Sequence, residues 1–533
     1  MFDSSFEIIP QVGGTLLNKG HLVEIDYSGN SNSSLEDTLI QRYRSEGDKQ
    51  LAEDVLLVNT PSSLVPHTGD DYLSYDHNMP LGLVCVASYL AECGYSVSIV
   101  DSYAENLGIF TTVDRIFSRG TLPRVIGFNS SSPNIHIVHK IAACIKSLRG
   151  DITIVCGGPH ASLATEHTLS TGDVDYAIVG EGEIPFLNLV RSLFEGRNTS
   201  PEGIPGVFSQ QSGKISGRRN IVLIDLAAMP LPRLDLLPLE RYFAINKRIY
   251  IHTSRGCAFR CIYCSVPECW GRSVRQIPVN VIRSQTNELL TRYEPDELQI
   301  VDDNFSHKNG RFIRAFCDMN VEEGWSVRWK CQLRADLLDK ATIEMMSKTG
   351  CFEVDIGIES GNPEIQRYIR KNLDLTKTLD TISLINKLGI STKAFFMLGF
   401  PEETWAQLTD TINYAVELKN SGLKDIAFFP VMPFPGTEIS KVTGRTVFQG
   451  AVIDDVDVEE SGPTFAGYRL RKYSAKPEIS LNANFSPETL RLLVKFAYQH
   501  FCDGLPVNNL KIEFEDFVRT VSVNLLTILP YHT

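Results

Sequence analysis

Three closely spaced cysteines in the sequence could bind one inorganic centre. Cys257, Cys261 and Cys264 follow an apolar run that predicts a buried strand over residues 249–253. Zinc sites usually use four ligands in two separated pairs, whereas three thiolates in one loop suit a 4Fe–4S cluster. Three ligands leave one iron without a protein ligand. The alternatives are a structural metal site or a chance grouping, and Cys269 could be a fourth ligand.

The strand before the cysteines opens a series of alternating strands and helices. Apolar runs predict strands over residues 249–253, 297–301, 326–330, 352–356, 392–398 and 425–430. Six strand–helix units predict an open, partial relative of the eight-fold β/α barrel. The active site of such a barrel lies at the carboxyl ends of its strands, where the cysteine loop is expected.

A second alternating series precedes the barrel and predicts a doubly wound parallel sheet. Its strands are expected at residues 55–58, 97–100, 125–128, 152–156 and 176–179. Ligands of such sheets bind beyond the carboxyl ends of the strands, where small residues let them approach the main chain. The candidate residues at these ends are Asn59, Ser130, Ser131, Gly157, Gly158, Gly180 and Gly182. Each glycine could equally serve ordinary turn geometry.

Two helix starts carry capping signals. Ser132 precedes Pro133 and an amphipathic stretch, so Ser132 is predicted to cap a helix with the proline in its first turn. Ser486 is predicted to cap a helix in the last hundred residues.

The motif C-x-x-x-C-x-aromatic-C after the first strand of a partial barrel resembles the signature of the radical S-adenosylmethionine (SAM) superfamily. Further segments at the expected strand ends are similar to the same superfamily: Val301–Phe305, Gly357–Gly361, Leu398–Thr404 and Pro433–Thr437. The resemblance implies that Cys257, Cys261 and Cys264 hold a 4Fe–4S cluster and that SAM chelates the remaining iron.

The same resemblance implies roles in SAM binding for residues near two strand ends. Tyr263 would lie against the adenine, and Glu359 and Ser360 would contact SAM, with Glu359 accepting a hydrogen bond. Two other interpretations stay open. Tyr263 could be a packing residue, and Glu359 could pair with a barrel arginine such as Arg334.

The sheet domain has a resemblance of its own. Pro80–Leu83, Gly157–Ala161 and Gly180–Glu183 are similar to the cobalamin-binding domain that precedes the barrel in many radical SAM enzymes. The two resemblances cover about residues 51–440. The D-x-H-x-x-G motif that supplies an axial histidine in other cobalamin proteins is absent, and His160 has a different context, so the lower axial ligand is not predicted to be histidine. The alternative is a scaffold that binds no corrin.

Together the resemblances imply a cobalamin-dependent radical SAM methyltransferase. Its cofactors would be a 4Fe–4S cluster, SAM and cobalamin. A 5′-deoxyadenosyl radical and methylcobalamin would place a methyl group on an unactivated carbon of a small molecule, such as a natural-product precursor. The electron donor would be a flavodoxin or ferredoxin. The rivals are a cyclase or ring-rearranging oxidoreductase with the same cofactors, a tRNA-modifying radical SAM enzyme, and a non-enzymatic corrinoid or iron–sulfur carrier.

Composition and charge exclude several classes. The 533 residues are 43% hydrophobic and 22% charged, which is typical of a multidomain globular protein. Fifty-one basic residues against 64 acidic ones give a net charge of −13, which argues against binding to nucleic acid or an anionic membrane. Because no apolar run of membrane-spanning length and no signal segment is found, we expect a cytoplasmic protein.

These observations divide the chain into five parts. Residues 1–50 are an N-terminal extension, 51–225 the cobalamin-binding Rossmann-like domain, 226–248 a linker, 249–440 the radical SAM barrel, and 441–533 a mostly helical C-terminal extension related to the substrate. The fold class is therefore α/β.

Overall fold

The chain forms two compact units in the computed structural model. The first contains the described residues up to 223 together with 230–246, and the second contains 224–229 and those from 247 onward. Residues 226–248, the predicted linker, are thus divided between the units. The structure describes residues 14–18, 21–25, 32–45, 49–61, 78–195, 203–219, 222–244, 246–446 and 480–528.

The first unit is built on a seven-stranded sheet. Its strands are β3 Leu51–Asn59, β4 Val97–Asp101, β5 Leu122–Asn129, β6 Thr153–Gly157, β7 Tyr176–Ile178, β8 Val207–Gln211 and β9 Lys214–Gly217. The order is β4-β3-β5-β6-β7-β8-β9. The first five strands pair in parallel and the last two extend the sheet as an antiparallel hairpin. The chain changes direction across the sheet between β3 and β5, which is where such sheets bind ligands.

Helices cover both faces of this sheet, so its central strands are apolar on both sides. In β3, Leu56 and Val58 belong to one hydrophobic cluster, and Val55 and Leu57 belong to another on the opposite face. All four side chains are at most 1% exposed. The helices are α2 Leu81–Glu92, α3 Ile109–Phe117, α4 Ile135–Leu148, α5 Pro159–Leu163, α6 Thr165–Leu169, α7 Glu183–Glu195 and α8 Leu239–Phe243.

Part of the predicted N-terminal extension packs on the first unit. An antiparallel hairpin comes first, β1 Gly14–Asn18 and β2 His21–Ile25, and is followed by α1 Asn32–Ser45. Leu39 and Tyr43 of α1 are buried in the hydrophobic cluster on the sheet. Helix α1 therefore contributes to the core of the first unit.

The two predicted capping residues behave differently. Ser486 caps its helix, because its side chain accepts a hydrogen bond from the Thr489 N–H. Ser132 does not, because α4 begins only at Ile135 and the hydroxyl of Ser132 instead pairs with His160 Nδ1 at 2.9 Å. Because the hydroxyl of Ser132 is bonded to a buried histidine of α5, it does not cap α4.

The second unit contains a six-stranded parallel sheet whose order follows the chain. The strands are β10 Arg248–Ile251, β13 Glu297–Ile300, β14 Arg328–Leu333, β15 Cys351–Glu359, β16 Ser391–Leu398 and β17 Asp425–Pro430. Every neighbouring pair is parallel. A two-stranded ribbon, β11 Ser254–Arg255 and β12 Arg275–Gln276, lies in the loop after β10.

Helices connect these strands in the manner of a β/α barrel. They are α9 Val266–Trp270, α10 Val279–Tyr293, α11 His307–Glu323, α12 Lys340–Lys348, α13 Pro363–Tyr368, α14 Leu375–Lys387, α15 Trp405–Asn420 and α16 Glu438–Thr443. The prediction of an α/β protein with a doubly wound sheet ahead of a six-unit partial barrel is confirmed.

The end of the chain packs back onto the barrel. It contains α17 Pro487–Asp503 and α18 Leu510–Ile528. Before them, the Asn482 amide donates hydrogen bonds to the carbonyl oxygens of Phe400 and Glu403 at 2.7 and 2.8 Å. Leu481 belongs to the hydrophobic cluster that contains Ile262 of the cysteine loop. The C-terminal segment is therefore part of the second unit's core.

Within the described part of the chain, none of the helices has the length and apolar character needed to cross a bilayer.

The close packing of the first sheet generates a stability prediction. A Cβ at Gly127 of β5 would come within 2.6 Å of Leu57 Cδ2 and 3.0 Å of the Phe186 ring, so we expect Gly127→Ala to lower the free energy of unfolding by about 1–3 kcal/mol. A Cβ at Gly82 of α2 would meet no atom within 4 Å, so Gly82→Ala is the matched control. Urea unfolding measures both, and equal stabilities of the two variants would contradict the prediction.

Candidate active site

The cysteine loop leaves β10 at the carboxyl end of the barrel sheet and is tied at once to the next strand end. Asp302, which follows β13, is buried and accepts hydrogen bonds from the Thr253 N–H at 2.7 Å and the Ser254 hydroxyl at 2.7 Å. Burial raises the pKa of Asp302, and the hydrogen bonds oppose that rise. The segment Val301–Phe305 therefore anchors the start of the cysteine loop through Asp302.

Gly256, directly before the first cysteine, is required by the backbone. Its φ is +90°, and a Cβ there would lie 2.5 Å from the carbonyl oxygen of Ser273. Its N–H donates to the Asp303 carboxylate at 3.0 Å. Burial raises the pKa of Asp303 to about 6.

The three cysteines lie on this loop as free thiols. The Cys264 N–H donates to the Cys261 carbonyl at 3.2 Å, which forms a turn. Burial raises the pKa of Cys264 to about 12, and the charges of the other two cysteines add to that rise. Burial also raises the pKa of Cys257, while Arg334 opposes the rise.

In the described residues, no group of three or more His, Cys, Asp or Glu side chains is arranged so that it could hold a metal ion. The thiols of Cys257, Cys261 and Cys264 share one loop without the geometry of a bound centre. Their assignment as cluster ligands therefore stays a prediction from the sequence.

Tyr263 and Glu359 meet at a buried lysine. Lys371 Nζ donates to Glu359 Oε1 at 2.8 Å and lies 3.5 Å from the Tyr263 hydroxyl. Lys371 and Glu359 are each 8% exposed. Burial, with the Glu359 charge, raises the pKa of Tyr263 well above its ordinary value. The partner of Glu359 is therefore Lys371 and not Arg334, which pairs with Asp336.

The strand end that carries Glu359 has a constrained backbone. Glu359 has a φ of +72°, an uncommon conformation for a residue with a side chain. A Cβ at Gly357 would lie 2.6 Å from Glu359 Oε1 and 2.7 Å from Lys371 Nζ. The glycine two residues earlier thus makes room for the ion pair.

Ser360 follows Glu359 in the sequence, and its hydroxyl forms hydrogen bonds within the protein. Its hydroxyl pairs with Thr411 Oγ1 at 2.9 Å and accepts from the Asn362 N–H at 3.1 Å. Its side chain is fully buried. The contact of Ser360 with SAM stays a prediction.

Several polar side chains of the described barrel residues keep a buried atom without a hydrogen-bond partner. They include Asn304 through Nδ2, His307 through Nε2 and Glu403 through Oε1. Each of these three residues is at most 4% exposed. Burial raises the pKa of Glu403 to about 8, although two main-chain N–H groups donate to its other oxygen. Unsatisfied buried polar atoms are rare, and ligands or ordered water commonly account for them.

In the first unit, Asn59 is held by a buried carboxylate. Its amide donates to Asp101 Oδ1 at 2.7 Å, and the Tyr242 hydroxyl donates to Asp101 Oδ2 at 2.5 Å. Burial raises the pKa of Asp101, and the hydrogen bonds from Tyr242 and Asn59 oppose that rise. Asn59 thus joins the ends of the neighbouring strands β3 and β4.

Ser130, Gly157 and Gly158 come together at the ends of β5 and β6. The Ser130 hydroxyl donates to the Gly157 carbonyl at 2.8 Å. Gly158 has a φ of +95°, and a Cβ there would lie 2.3 Å from Asn129 Oδ1. A Cβ at Gly157 would meet only the Ile178 Cβ, at 4.0 Å. The main chain at Gly157 is therefore open to close approach, whereas Gly158 is needed for its turn.

The remaining candidates of the sheet domain have separate surroundings. The Ser131 N–H donates to Asn134 Oδ1 at 2.7 Å. The Gly180 N–H donates to the Ser162 hydroxyl at 3.0 Å. A Cβ at Gly182 would lie 3.0 Å from Val86 Cγ2. Their contact with a corrin stays a prediction.

A chain of histidines in the first unit is not predicted from the sequence. His160 is fully buried, and its Nε2 lies 3.0 Å from His167 Nδ1. The His139 ring lies 5.6 Å from that of His167, and its Nε2 donates to the Thr168 carbonyl at 3.0 Å. Burial lowers the pKa of all three, that of His160 to about 3. The Gly-Gly-Pro-His segment marks His160, but the spacing of the others gives no signal.

The comparison with protein-family models decides the identity of both units. Residues 251–415 match the model of the radical SAM superfamily. Residues 74–190 match the model of the B12-binding domain. The chain therefore contains a B12-binding domain followed by a radical SAM domain. The expected cofactors are thus a 4Fe–4S cluster, SAM and cobalamin, as the two domains imply.

Curated relatives share most of the chain. An uncharacterised methyltransferase of Pyrococcus horikoshii is 28% identical over 79% of this chain and 87% of its own. The cytidylyl-2-hydroxyethylphosphonate methyltransferase of Streptomyces wedmorensis is 26% identical over 76% of this chain and 83% of its own. An anaerobic magnesium-protoporphyrin IX monomethyl ester cyclase of Rubrivivax gelatinosus is 25% identical over 67% and 65%.

The fold of the radical SAM and B12-binding domains is that of a solved structure. The radical SAM methyltransferase TsrM of Kitasatospora setae superposes with a TM-score of 0.60 at 18% identity, covering 74% of this chain and 76% of that one. At this identity the likeness shows the fold alone.

Lys371 was not predicted as part of the site, and Arg334 was named only as an alternative partner of Glu359. Lys371 lies on a turn after α13, twelve residues beyond Glu359, so its position at a strand end is not visible in the pattern. Arg334 directly follows β14, and the strand-end position is a signal that could have identified it. The guanidinium carbon lies 4.0 Å from the centroid of the Phe259 ring in the cysteine loop.

The histidine chain makes the stability of the B12-binding domain depend on pH. Because burial lowers the pKa of His160, His167 and His139, the folded state binds fewer protons than the unfolded state once the pH falls below about 6.5. We expect the free energy of unfolding to fall as the pH drops from 7 towards 4, with His160 alone contributing a slope of at most about 1.4 kcal/mol per pH unit.

Urea unfolding at a series of pH values measures this dependence. Asp101, whose pKa is raised, contributes with the opposite sign, so the comparison is made with His160→Gln. We expect a shallower dependence on pH in this variant, and an unchanged slope would contradict the prediction.

Proposed function

We propose that the protein is a cobalamin-dependent radical SAM methyltransferase acting on an unactivated carbon of a small molecule. The observation that carries the proposal is the cysteine loop after the first barrel strand, which meets the buried Glu359–Lys371 pair through Tyr263. The two domains in one chain support it. Methyltransferase relatives that cover most of the chain support it further.

The donor set of the cysteine loop fits a 4Fe–4S cluster. Cys257, Cys261 and Cys264 are free thiols on a single loop, and thiolates are the ligands of such clusters. Because burial raises the pKa of Cys257 and Cys264, these thiols stay protonated until metal binding favours the thiolate. Cluster assembly should therefore release protons.

The B12-binding domain fits a large planar ligand at the ends of β5 and β6. Ser130 and Gly158 hold the two turns together, and the main chain at Gly157 is open to close approach. Asn59, through Asp101, braces the adjoining strand end. We infer that the corrin approaches the sheet at these turns.

When bound, SAM and cobalamin would supply a 5′-deoxyadenosyl radical and a transferable methyl group. The chain's own residues would position SAM and exclude water. Glu359 is an acceptor held by Lys371, and Tyr263 offers a flat face beside it. Phe400 and Leu481, in the hydrophobic cluster that Tyr263 joins, would keep this side of the site dry.

We further infer a flavodoxin or ferredoxin as the electron donor and a cytoplasmic location. None of the twelve cysteines, which all lie in the described residues, forms a disulfide, and this fits a reducing compartment. The net charge of −13 supports a small-molecule substrate over nucleic acid.

The ligand assignment is tested by replacing the cysteines one at a time. We expect Cys257→Ala, Cys261→Ala and Cys264→Ala each to abolish the cluster absorbance and the formation of 5′-deoxyadenosine, because each removes one of three iron ligands. Iron and sulfide analysis after anaerobic reconstitution measures cluster content, and chromatography measures the SAM products. Cys269→Ala, at a buried cysteine in the adjacent α9, is the matched control. A cluster that survives in the three variants would overturn the assignment.

The reaction type is tested by product analysis under anaerobic conditions with cobalamin and SAM. Methyl transfer predicts that both 5′-deoxyadenosine and S-adenosylhomocysteine form, and that the product gains one CH₂ unit in mass. The cyclase relative makes ring formation the second candidate. Deoxyadenosine without S-adenosylhomocysteine, and a product without the added carbon, would favour that alternative.

A further inference from the structure

Arg334 connects the cysteine loop with the Glu359–Lys371 pair. It is 7% exposed, and its Nη1 donates to the main-chain carbonyl of Lys371 at 2.8 Å. Its guanidinium carbon lies 4.0 Å from the centroid of the Phe259 ring. One side chain therefore contacts both the loop expected to hold the cluster and the turn that supplies the lysine.

The guanidinium of Arg334 is held rigidly. Its Nε and Nη2 donate to the two carboxylate oxygens of Asp336 at 3.1 and 2.8 Å, a two-point pairing that fixes its plane. The Arg334 N–H donates to the hydroxyl of Ser306 at 2.9 Å, at the start of the turn into α11. Because plane and backbone are both fixed, the guanidinium provides a stationary surface for the Phe259 ring.

Phe259 lies between Cys257 and Cys261 and also meets the turn after β13. Its ring stacks on that of His307, with centroids 6.2 Å apart and planes 16° apart. His307 is 4% exposed and precedes Lys308, Asn309 and Gly310, which all have φ between +51° and +74°. Strained backbone of this kind is held in place by its surroundings and tends to occur at functional sites.

The remaining attachments of the loop lie on either side of Phe259. The Gly256 N–H donates a hydrogen bond to the Asp303 carboxylate. The main chain of Ile262 forms hydrogen bonds with the main chains of Ile369 and Ile439. Phe259 supplies a side-chain contact midway between these points. The segment that contains Cys257 and Cys261 is thus supported at its centre by a ring between a guanidinium and an imidazole.

We propose that Arg334 is a positioning residue that, through Phe259, fixes the cysteine loop relative to Glu359 and Lys371. The inference rests on the proposed function, since it concerns how the loop presents its cluster to SAM. Without the contact, the loop would hold its cluster less firmly, and the cluster would be less well placed against the SAM-binding residues.

The test removes the ring and leaves the arginine network intact. In Phe259→Leu we expect an iron chelator to remove the cluster about fivefold faster and SAM to bind about fivefold more weakly. A fivefold change is about the size of effect expected when one cation–π contact is lost. The loss of cluster absorbance after anaerobic reconstitution measures the first quantity, and equilibrium dialysis with SAM measures the second. Both readouts are independent of turnover.

Two controls separate the contact from general destabilisation. Phe259→Tyr keeps the ring and should behave as the natural protein does. Phe352→Leu removes a ring under Arg328, whose guanidinium carbon lies 4.8 Å from the ring centroid at the opposite, amino end of the barrel strands. It should leave cluster lability and SAM affinity unchanged.

A second variant acts from the other side of the contact. Arg334→Lys keeps the charge but loses the planar fork, so we expect it to shift both quantities in the same direction as Phe259→Leu. In the double variant Phe259→Leu/Arg334→Lys, the fold-change in each quantity should be smaller than the product of the two single fold-changes, because both substitutions disrupt the same contact. Phe259→Leu values equal to those of Phe352→Leu would overturn the inference. If the natural protein assembles no cluster, the proposed function itself fails; if it does and the variants match it, only this inference fails.

Discussion

Two main-chain hydrogen bonds at Ile262 hold the cysteine loop between separate parts of the barrel. Its N–H donates to the Ile369 carbonyl at 3.1 Å, and its carbonyl accepts from the Ile439 N–H at 2.9 Å. Because Ile262 lies between Cys261 and Tyr263, both the second cysteine and the tyrosine depend on these bonds for their place.

Buried charge explains much of the remaining organisation of the radical SAM domain. Lys371 with Glu359 and Arg334 with Asp336 are both pairs of low exposure, and such pairs persist in a protein interior only when each charge is compensated. Since Arg334 also donates to the Lys371 carbonyl, the two pairs form one network. A side chain at position 357 would collide with this network, so glycine is required there. In the B12-binding domain, Asp101 is compensated in a similar way, by the neutral donors Asn59 and Tyr242.

The fold was accessible from the sequence because strand–helix alternation is a strong local signal. The strand predicted at 425–430 matches β17, and that at 392–398 lies within β16. The hairpin β8–β9 was missed because its strands are short and partly polar. Local capping chemistry was reliable at Ser486, whose hydroxyl accepts a hydrogen bond from the Thr489 N–H. It failed at Ser132, whose hydroxyl pairs with His160 of α5 instead.

The candidate site was less predictable than the fold. The cysteine spacing identifies a loop, and the strand ends identify Glu359. The partner of Glu359, however, comes from a turn after the next helix, and only tertiary structure brings Lys371 there. The histidine chain has the same character, since His139, His160 and His167 lie on three different helices. Contacts between elements that are far apart in the sequence produce no periodic sequence pattern from which they could be predicted.

The contacts of Asn482 tie residues beyond the radical SAM family match to the barrel. Its amide serves the carbonyls of Phe400 and Glu403, and Leu481 packs with Ile262, although the radical SAM family match stops at residue 415. The smallest autonomous form of this enzyme is therefore longer than its family-defined domains. The segment around Asn482 and the loop after β16 must fit each other. A chimera that takes its C-terminal segment from a relative would therefore also need that relative's loop after β16.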